Sequence, residues 1–299
     1  MKKNIILLLF IGLTINMVGQ EIKMRSRLLT SLSNVEVEKY LERNDIIFVP
    51  VGTVEVHGGL PLDCEYVSPL AFAIKMAEKV DGLVLPNLSY FYPGDATMIG
   101  KGTVHTSCSE GTQYLKMIAR SLLRQGFKTQ IYITGHGPSS AFMQPFFMDF
   151  FNETHVPVLW LNQMDFLRGI KNISNLDKIM YGSYSIVGRL NDIPIDFSGI
   201  ELPKDYKPNE TRLGLSPEVQ KLFDVGSYPT MFYYDSQFDH GGVPQSFTAA
   251  QREQWGKEGA EAIDKIVEAM DMNSIVNALK NHQKHTEEIG KKYGSLLDF

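Results

Sequence analysis

The stretch from Val49 to Glu65 reads VPVGTVEVHGGLPLDCE, and it predicts a buried strand with a chemically active end. The apolar run from Ile46 to Val51 stops at Gly52, and Glu55 and His57 follow two residues apart. Alternate residues of an extended segment point to the same side, so these two side chains can converge on one point. The stretch therefore predicts a strand that delivers a carboxylate and an imidazole to the edge of a sheet.

Further acidic residues and a second histidine strengthen this prediction. Asp63 and Glu65 follow the first pair by a few residues, although an acidic residue after a Pro-Leu turn is also typical of a solvated position. His136 stands between two glycines, directly after another apolar run, where a core-packing role for a histidine is unusual. Carboxylates and imidazoles together are ligands for zinc and for harder ions such as manganese. A divalent metal site is the interpretation that this pattern favours.

Apolar runs of strand length alternate with segments of helical periodicity through the first half of the chain. Strands are predicted at 46–51, 83–88, 129–134 and 156–161, and helices at 68–79, 110–124 and 140–151. This alternation predicts an α/β fold, a single layered domain with a mainly parallel central sheet flanked by helices. Ligands bind such sheets outside the carboxyl ends of the strands, so Glu55, His57 and His136 are expected at one rim.

The second half of the chain is less regular. Residues 162–238 are broken repeatedly by proline, and we expect them to fold over the site like a lid; a separate small domain is the alternative. Helical periodicity returns at 245–270, and a charged helix follows. We therefore predict one main domain at 21–272 and a helical tail at 273–299.

Composition narrows the classes of partner. The 299 residues are 43% hydrophobic and 21% charged, which suits a folded globular chain and excludes a disordered one. The net charge of −5 gives no basic surface for nucleic acid, so no nucleic-acid partner is expected. Two cysteines, Cys64 and Cys108, are too few for a disulfide scaffold.

The first 20 residues have the pattern of a secretory signal peptide. Lys2 and Lys3 precede an apolar run from Ile5 to Ile15, and small residues follow. The run is short for a membrane span, so we expect cleavage, export to a bacterial periplasm and no stable membrane insertion afterwards. An uncleaved N-terminal anchor is the alternative.

Four motifs together resemble those of the creatininase (creatinine amidohydrolase) family. The resemblance spans roughly residues 25–270, and the motifs stand in the family's order. They are PVGTVEVHG at 50–58 with LPL at 60–62, GTV at 102–104, TGHG at 134–137 and DHGG at 239–242. An ordered set of motifs is far more specific than any one of them.

The resemblance implies a metal centre with defined ligands. It implies that Glu55, Glu65 and His136 bind one divalent metal, and that His57 and a bridging Glu65 approach a second. Zinc is the first expectation, with manganese or iron as alternatives, at one or two ions per chain. His240 would then carry protons to and from the substrate, assisted by Asp239.

The chain also departs from the family pattern. Glu65 stands where the family usually has a bridging aspartate, and Pro138 stands where creatininase has a further glutamate ligand. The second metal would then be held weakly or be absent. Asp239 replaces a glutamate, and Gln245 stands where a glutamate is common, so creatinine itself is not the expected substrate.

These observations predict an exported metal-dependent hydrolase in which metal-activated water attacks the carbonyl of a small cyclic amide-like substrate. One alternative is a hydrolase that opens a keto-sugar or keto-cyclitol ring by cleaving a C–C bond. Another is a non-catalytic relative that binds a metal or ligand, which Pro138 and Gln245 would favour. The resemblance further implies a homo-oligomer, commonly a hexamer in this family.

Overall fold

The computed structural model describes residues 24–94, 101–206, 216–225, 234, 236 and 238–297. The predicted signal peptide and parts of the 162–238 segment lie outside these residues. Within them the strands are β1 (Ile46–Val51), β2 (Leu83–Val84), β3 (Thr129–Thr134) and β4 (Leu159–Asn162). The α-helices are α1 (Asn34–Leu41), α2 (Cys64–Lys79), α3 (Cys108–Gln125), α4 (Ser140–Thr154), α5 (Gln163–Gly169), α6 (Ile179–Ile186), α7 (Pro217–Asp224), α8 (Ala249–Ala269) and α9 (Met272–Leu297).

The strands form one parallel sheet in the order β2-β1-β3-β4. Every residue of β1 and β3 is buried, as continuous apolar strands require when helices cover both faces. Phe48 belongs to a core cluster with residues of α2, α8 and α9, whereas its neighbours Ile47 and Val49 belong to a cluster with residues of α3 and α4. The predicted α/β fold with a parallel central sheet is confirmed.

Several predicted boundaries differ from those in the structure, among them those of α2 and β2. Helix α2 begins at Cys64, four residues before the predicted start at 68, so Pro69 stands inside the helix instead of in its first turn. A proline in the second turn removes one backbone hydrogen bond, and its ring crowds the carbonyl of Glu65, four residues earlier. The earlier start matters because it puts Glu65 in the first turn of a helix, where the macrodipole favours a carboxylate. Strand β2 is also shorter than predicted, and Leu88 forms a separate bridge to Val51.

Helices α6, α8 and α9, from the second half of the chain, pack against the rest of the domain. Helices α6 and α8 are in backbone contact, because a Cβ atom at Gly182 would overlap the backbone of Gly259. In α9, Met272, Val276 and Leu279 are buried in the core, so the first residues of the predicted tail at 273–299 pack against the domain. Among the described residues, no helix has the length and apolar character needed to cross a membrane.

Candidate metal centre

The candidate site lies where the order of the sheet reverses. The chain runs from β1 to β2 on one side and then returns to place β3 on the other side of β1. Val51 and Thr134 are register partners, so β1 and β3 end at the same level. A crevice opens between strands at such a point. The segments that carry Glu55 and His136 leave the sheet there.

Backbone hydrogen bonds fix the loop that carries Glu55. The amide of Glu55 donates to the carbonyl of Leu62 at 2.8 Å. On the other side, Val56 N donates to the hydroxyl of Thr103 at 3.1 Å, and Val104 N donates to the carbonyl of Val54 at 2.9 Å. The GTV motif at 102–104 therefore supports the loop and contributes no side chain to the metal groups described below.

Glu55, Glu65 and His136 form a buried group of three potential metal ligands. One donor atom from each lies within 4.8 Å of the others. The Nδ1 atom of His136 lies 3.4 Å from Glu55 Oε1 and is also in contact with Glu65 Oε2. The hydroxyl of Thr53 donates to Glu65 Oε2 at 3.4 Å. The structure thus brings together the three residues that the resemblance assigns to one metal.

Charge compensation within this group is strong. Burial alone would raise the pKa of Glu55, but the positive charge of the neighbouring His136 lowers it well below its ordinary value. Burial would likewise lower the pKa of His136, but Glu65 and Glu55 raise it well above its ordinary value. Without a metal the group is therefore stabilised by an imidazolium between carboxylates. A divalent cation can supply the same compensation.

A second group of potential ligands shares Glu55 with the first. It contains Glu55, His57 and His240, again with one donor atom from each within 4.8 Å of the others. Glu55 Oε1 lies 3.5 Å from His240 Nε2 and 4.0 Å from His57 Nδ1. The two imidazole rings meet edge to face with centroids 4.7 Å apart. Each histidine side chain is 22% exposed, whereas that of Glu55 is 0% exposed, so this group lies on the solvent side of the first.

Buried polar atoms without a hydrogen-bond partner indicate whether these residues suit a metal. Both carboxylate oxygens of Glu55, His57 Nδ1, His136 Nε2 and His240 Nε2 are buried and have no hydrogen-bond partner among the described residues. Each such atom costs on the order of 1–3 kcal/mol. His57 Nδ1 and His240 Nε2 lie within 4.0 Å of Glu55 Oε1, so several of these atoms are close together and need a compensating group. Ligand atoms about 2.1 Å from a tetrahedral zinc ion lie roughly 3.4 Å from one another. The separations of Glu55 Oε1 from His136 Nδ1, 3.4 Å, and from His240 Nε2, 3.5 Å, are close to that value, and the residues fit a divalent cation.

His240 contacts a tyrosine that the sequence analysis did not identify. Its Nδ1 atom lies 3.2 Å from the hydroxyl of Tyr234, and the two rings are stacked with centroids 5.3 Å apart. Burial, together with the charges of Glu55, Asp239 and Glu65, raises the pKa of Tyr234 to about 12, so the hydroxyl stays neutral. Tyr234 lies in the irregular segment, where no motif or periodicity marks it.

Asp239 is engaged elsewhere. Its carboxylate accepts a hydrogen bond from the amide of Ser236 at 2.9 Å and lies 3.5 Å from the hydroxyl of Tyr206. These contacts stabilise the turn that precedes His240. The assistance to proton transfer that the resemblance implies for Asp239 stays a prediction.

A glycine contact sets the distance between His57 and His240. Gly58 and Gly241, which follow these histidines, both have positive φ angles, of 58° and 83°. A Cβ atom at Gly241 would lie 2.5 Å from Gly58 N and 2.6 Å from the carbonyl carbon of His57. The two backbones can approach this closely only because neither residue has a side chain.

Other acidic and sulfur-containing residues of the opening stretch do not enter either group. Asp63 accepts hydrogen bonds from Tyr184 at 2.7 Å and from Arg189 at 2.6 Å, which secures the start of α2. Cys64 is fully buried, and burial raises the pKa of its thiol, which disfavours the thiolate that a metal would bind. Pro138 lies in the short 3₁₀ turn after His136 and offers no side-chain donor.

Comparisons with known proteins identify a family for this chain. The family profile described as creatininase, creatinine amidohydrolase, matches residues 30–181. A creatinine amidohydrolase from Pseudomonas putida is 28% identical over 103 residues, which are 33% of this chain and 40% of that protein. The match thus spans less than half the length of this relative.

Solved structures of creatininases share the fold. A manganese form has a TM-score of 0.57 at 18% identity, and a mutant described as the Zn-Zn type has a TM-score of 0.58, also at 18% identity. Each comparison covers 87% of this chain and 99% of the other. At these identities the likeness establishes the architecture.

Proposed function

Because this chain belongs to the creatininase family, we propose that it is a metal-dependent hydrolase that opens a small cyclic amide. The observation that carries the proposal is the convergence of Glu55, Glu65 and His136 at the reversal point of the sheet, with unpartnered polar atoms gathered there. A buried polar cluster of this kind is costly unless it binds something.

The ligand set suits a borderline or hard divalent cation. Carboxylates and imidazoles without a thiolate favour zinc or manganese, and zinc is our first choice. The manganese and Zn-Zn forms of related creatininases support either ion. When bound, such a cation activates water near neutral pH and polarises a substrate carbonyl. Glu55, Glu65 and His136 would hold it.

A cavity of about 510 Å³ beside His57 is the proposed substrate site. This volume lies within the usual range for small-molecule sites. Its apolar wall is aromatic, with edge-to-face contact between Tyr181 and Trp255 at 5.0 Å and a tilted contact between Phe247 and Trp255, also at 5.0 Å. Gln245 and Ser246 supply polar groups in the same cavity. A flat ring that carries an amide matches these surfaces.

Metal removal tests the proposed activity. We expect chelation to abolish ring opening of at least one compound in a panel of lactams, cyclic ureas and cyclic guanidines, and zinc or manganese to restore it. Product formation is followed by mass spectrometry. Opening of keto-cyclitols alone would contradict the amide assignment and favour C–C cleavage. A metal-loaded protein that opens neither class would be a binding protein.

Trp255 is expected to contribute to substrate binding. Trp255→Ala should raise KM about tenfold with little change in kcat, because it removes apolar contact that is equal in the ground and transition states. Tyr293→Ala is the matched control, because both aromatic rings lie under a lysine: Lys178 Nζ is 4.4 Å from the ring of Trp255, and Lys292 Nζ is 4.8 Å from the ring of the exposed Tyr293. Equal kinetics for the wild type and Trp255→Ala would place the substrate outside this cavity.

We also propose export to the periplasm and assembly into a homo-oligomer. The Lys2-Lys3 start and the apolar run from Ile5 to Ile15 support export, and family membership supports assembly. Cell fractionation and analytical ultracentrifugation test the two points; full-length protein in the cytosol, or a monomer, would contradict them.

A further inference from the structure

We propose that His240 is a metal ligand, and that Glu55, His57 and His240 bind a second cation beside the one held by Glu55, Glu65 and His136. This inference rests on the proposed function, because it adds an ion to the same centre. It differs from the role implied by the resemblance, in which His240 carries protons and Glu65 is the bridging residue.

The first support is the position of the donor atoms. His240 Nε2 lies 3.5 Å from Glu55 Oε1, a separation close to that of two ligands on one zinc ion, roughly 3.4 Å. His57 Nδ1 lies 4.0 Å from the same oxygen. Both nitrogens are buried and have no hydrogen-bond partner within the described ranges. A proton carrier would instead be expected to direct its free nitrogen toward a substrate.

The second support is the position of Glu55 between the two groups. Its Oε1 atom is within 4.0 Å of nitrogens from His57, His136 and His240. Neither of its oxygens has a hydrogen-bond partner in the described part of the chain. A carboxylate with two free oxygens can bridge two cations. Glu55 has this position here, whereas Glu65 belongs to the first group only.

His240 also compensates for a ligand that this chain lacks. Pro138 provides no donor at the position from which creatininase supplies a further glutamate, which would leave the second cation with few ligands. The DHGG turn brings the imidazole of His240 to the group that would hold this cation. A neutral nitrogen then replaces a carboxylate, which suits zinc at least as well as manganese.

Tyr234 is the positioning residue for His240. Its hydroxyl lies 3.2 Å from His240 Nδ1, on the opposite side of the imidazole from Nε2. If the tyrosine oxygen accepts the Nδ1 proton, the lone pair on Nε2 is directed at Glu55 and free to bind a cation. Metal-binding histidines commonly use the other ring nitrogen in this way.

The second cation would be the one accessible to substrate. His57 and His240 are partly exposed, and His57 lines the cavity of about 510 Å³. Glu55 and His136 of the first group are 0% and 3% exposed in their side chains. The second ion would therefore face the substrate cavity, with the first ion behind it.

Metal counting with zinc tests the inference. The purified protein is loaded with excess zinc, desalted and measured by mass spectrometry. We expect two equivalents in the wild type, one in His240→Ala, and two in His282→Ala, a control that removes an exposed histidine from α9. Cobalt substitution gives a second readout, because the visible absorption of the wild type should lose the component of one of its two ions in His240→Ala.

The outcomes separate this inference from the proposed function. Two equivalents retained in His240→Ala, with hydrolysis lost, would overturn the ligand assignment and support a proton carrier. One equivalent in the wild type would overturn the second site and leave the first intact. No zinc in the wild type would remove the basis of both proposals.

A more conservative substitution tests the same inference if His240→Ala does not fold. Tyr234→Phe keeps the ring and removes the hydroxyl, so it should weaken the second zinc about 10- to 100-fold and leave the first unchanged. Equal affinities for both ions in Tyr234→Phe and the wild type would overturn the positioning role.

Discussion

Replacing Glu55 by glutamine is expected to remove both cations and to reduce hydrolysis by at least about a thousandfold. Glu55 is the only residue common to the two ligand groups found among the described residues. A neutral amide of the same shape is a far poorer ligand than a carboxylate and no longer compensates two positive ions. A thousandfold loss corresponds to about 4 kcal/mol of transition-state stabilisation, within the range that a catalytic metal supplies.

Two neighbouring acidic residues provide the controls for this substitution. Glu65→Gln should lose one cation and keep the other, because Glu65 belongs to the first group only. Asp63→Asn should keep both, because the carboxylate of Asp63 is engaged by Tyr184 and Arg189. Zinc titration calorimetry on the three variants distinguishes these cases. Retention of two cations in Glu55→Gln, or loss of both in Glu65→Gln, would contradict the shared position of Glu55.

The central strands could be predicted from the sequence because a buried strand requires only a continuous run of apolar residues, which is visible locally in the sequence. The predicted ranges 46–51 and 129–134 match the bounds of β1 and β3, since strands covered on both faces are continuous apolar runs. The outer strands are less well defined in the sequence. β2 has only two residues, Leu83–Val84, and β4 begins at Leu159, three residues after the predicted start. Pairing with one neighbour instead of two limits how far these edge strands extend.

The meeting of Glu55 and His136 could be anticipated because parallel strands place their carboxyl ends at one rim, whereas Glu65, on helix α2, was expected there only from the family resemblance. The contacts of His240 could not be predicted from the sequence. They depend on how an irregular segment returns to the sheet, and no periodicity encodes that path. The partner of His240, Tyr234, lies in the same segment without a motif to mark it.

Replacing Gly241 by alanine is the second substitution from which a large effect is expected. The new Cβ atom would lie 2.5 Å from Gly58 N and 2.6 Å from the carbonyl carbon of His57, so the two loops must separate. His57 and His240 would then move apart, although neither side chain has changed. We expect the second cation to be lost, the first to be retained, and kcat/KM to fall about a hundredfold, or roughly 2.7 kcal/mol.

Gly242→Ala is the matched control, because it changes the adjacent glycine, which has a similar φ angle. Its φ angle is 80°, against 83° at Gly241, so both variants incur a similar conformational cost of about 1–2 kcal/mol. A Cβ atom at Gly242, however, would meet no described atom within 4 Å. Zinc titration and steady-state kinetics should therefore find Gly242→Ala close to the wild type. If both variants lose the second cation, the conformation of the DHGG turn, and not its contact with Gly58, sets the distance between the two histidines.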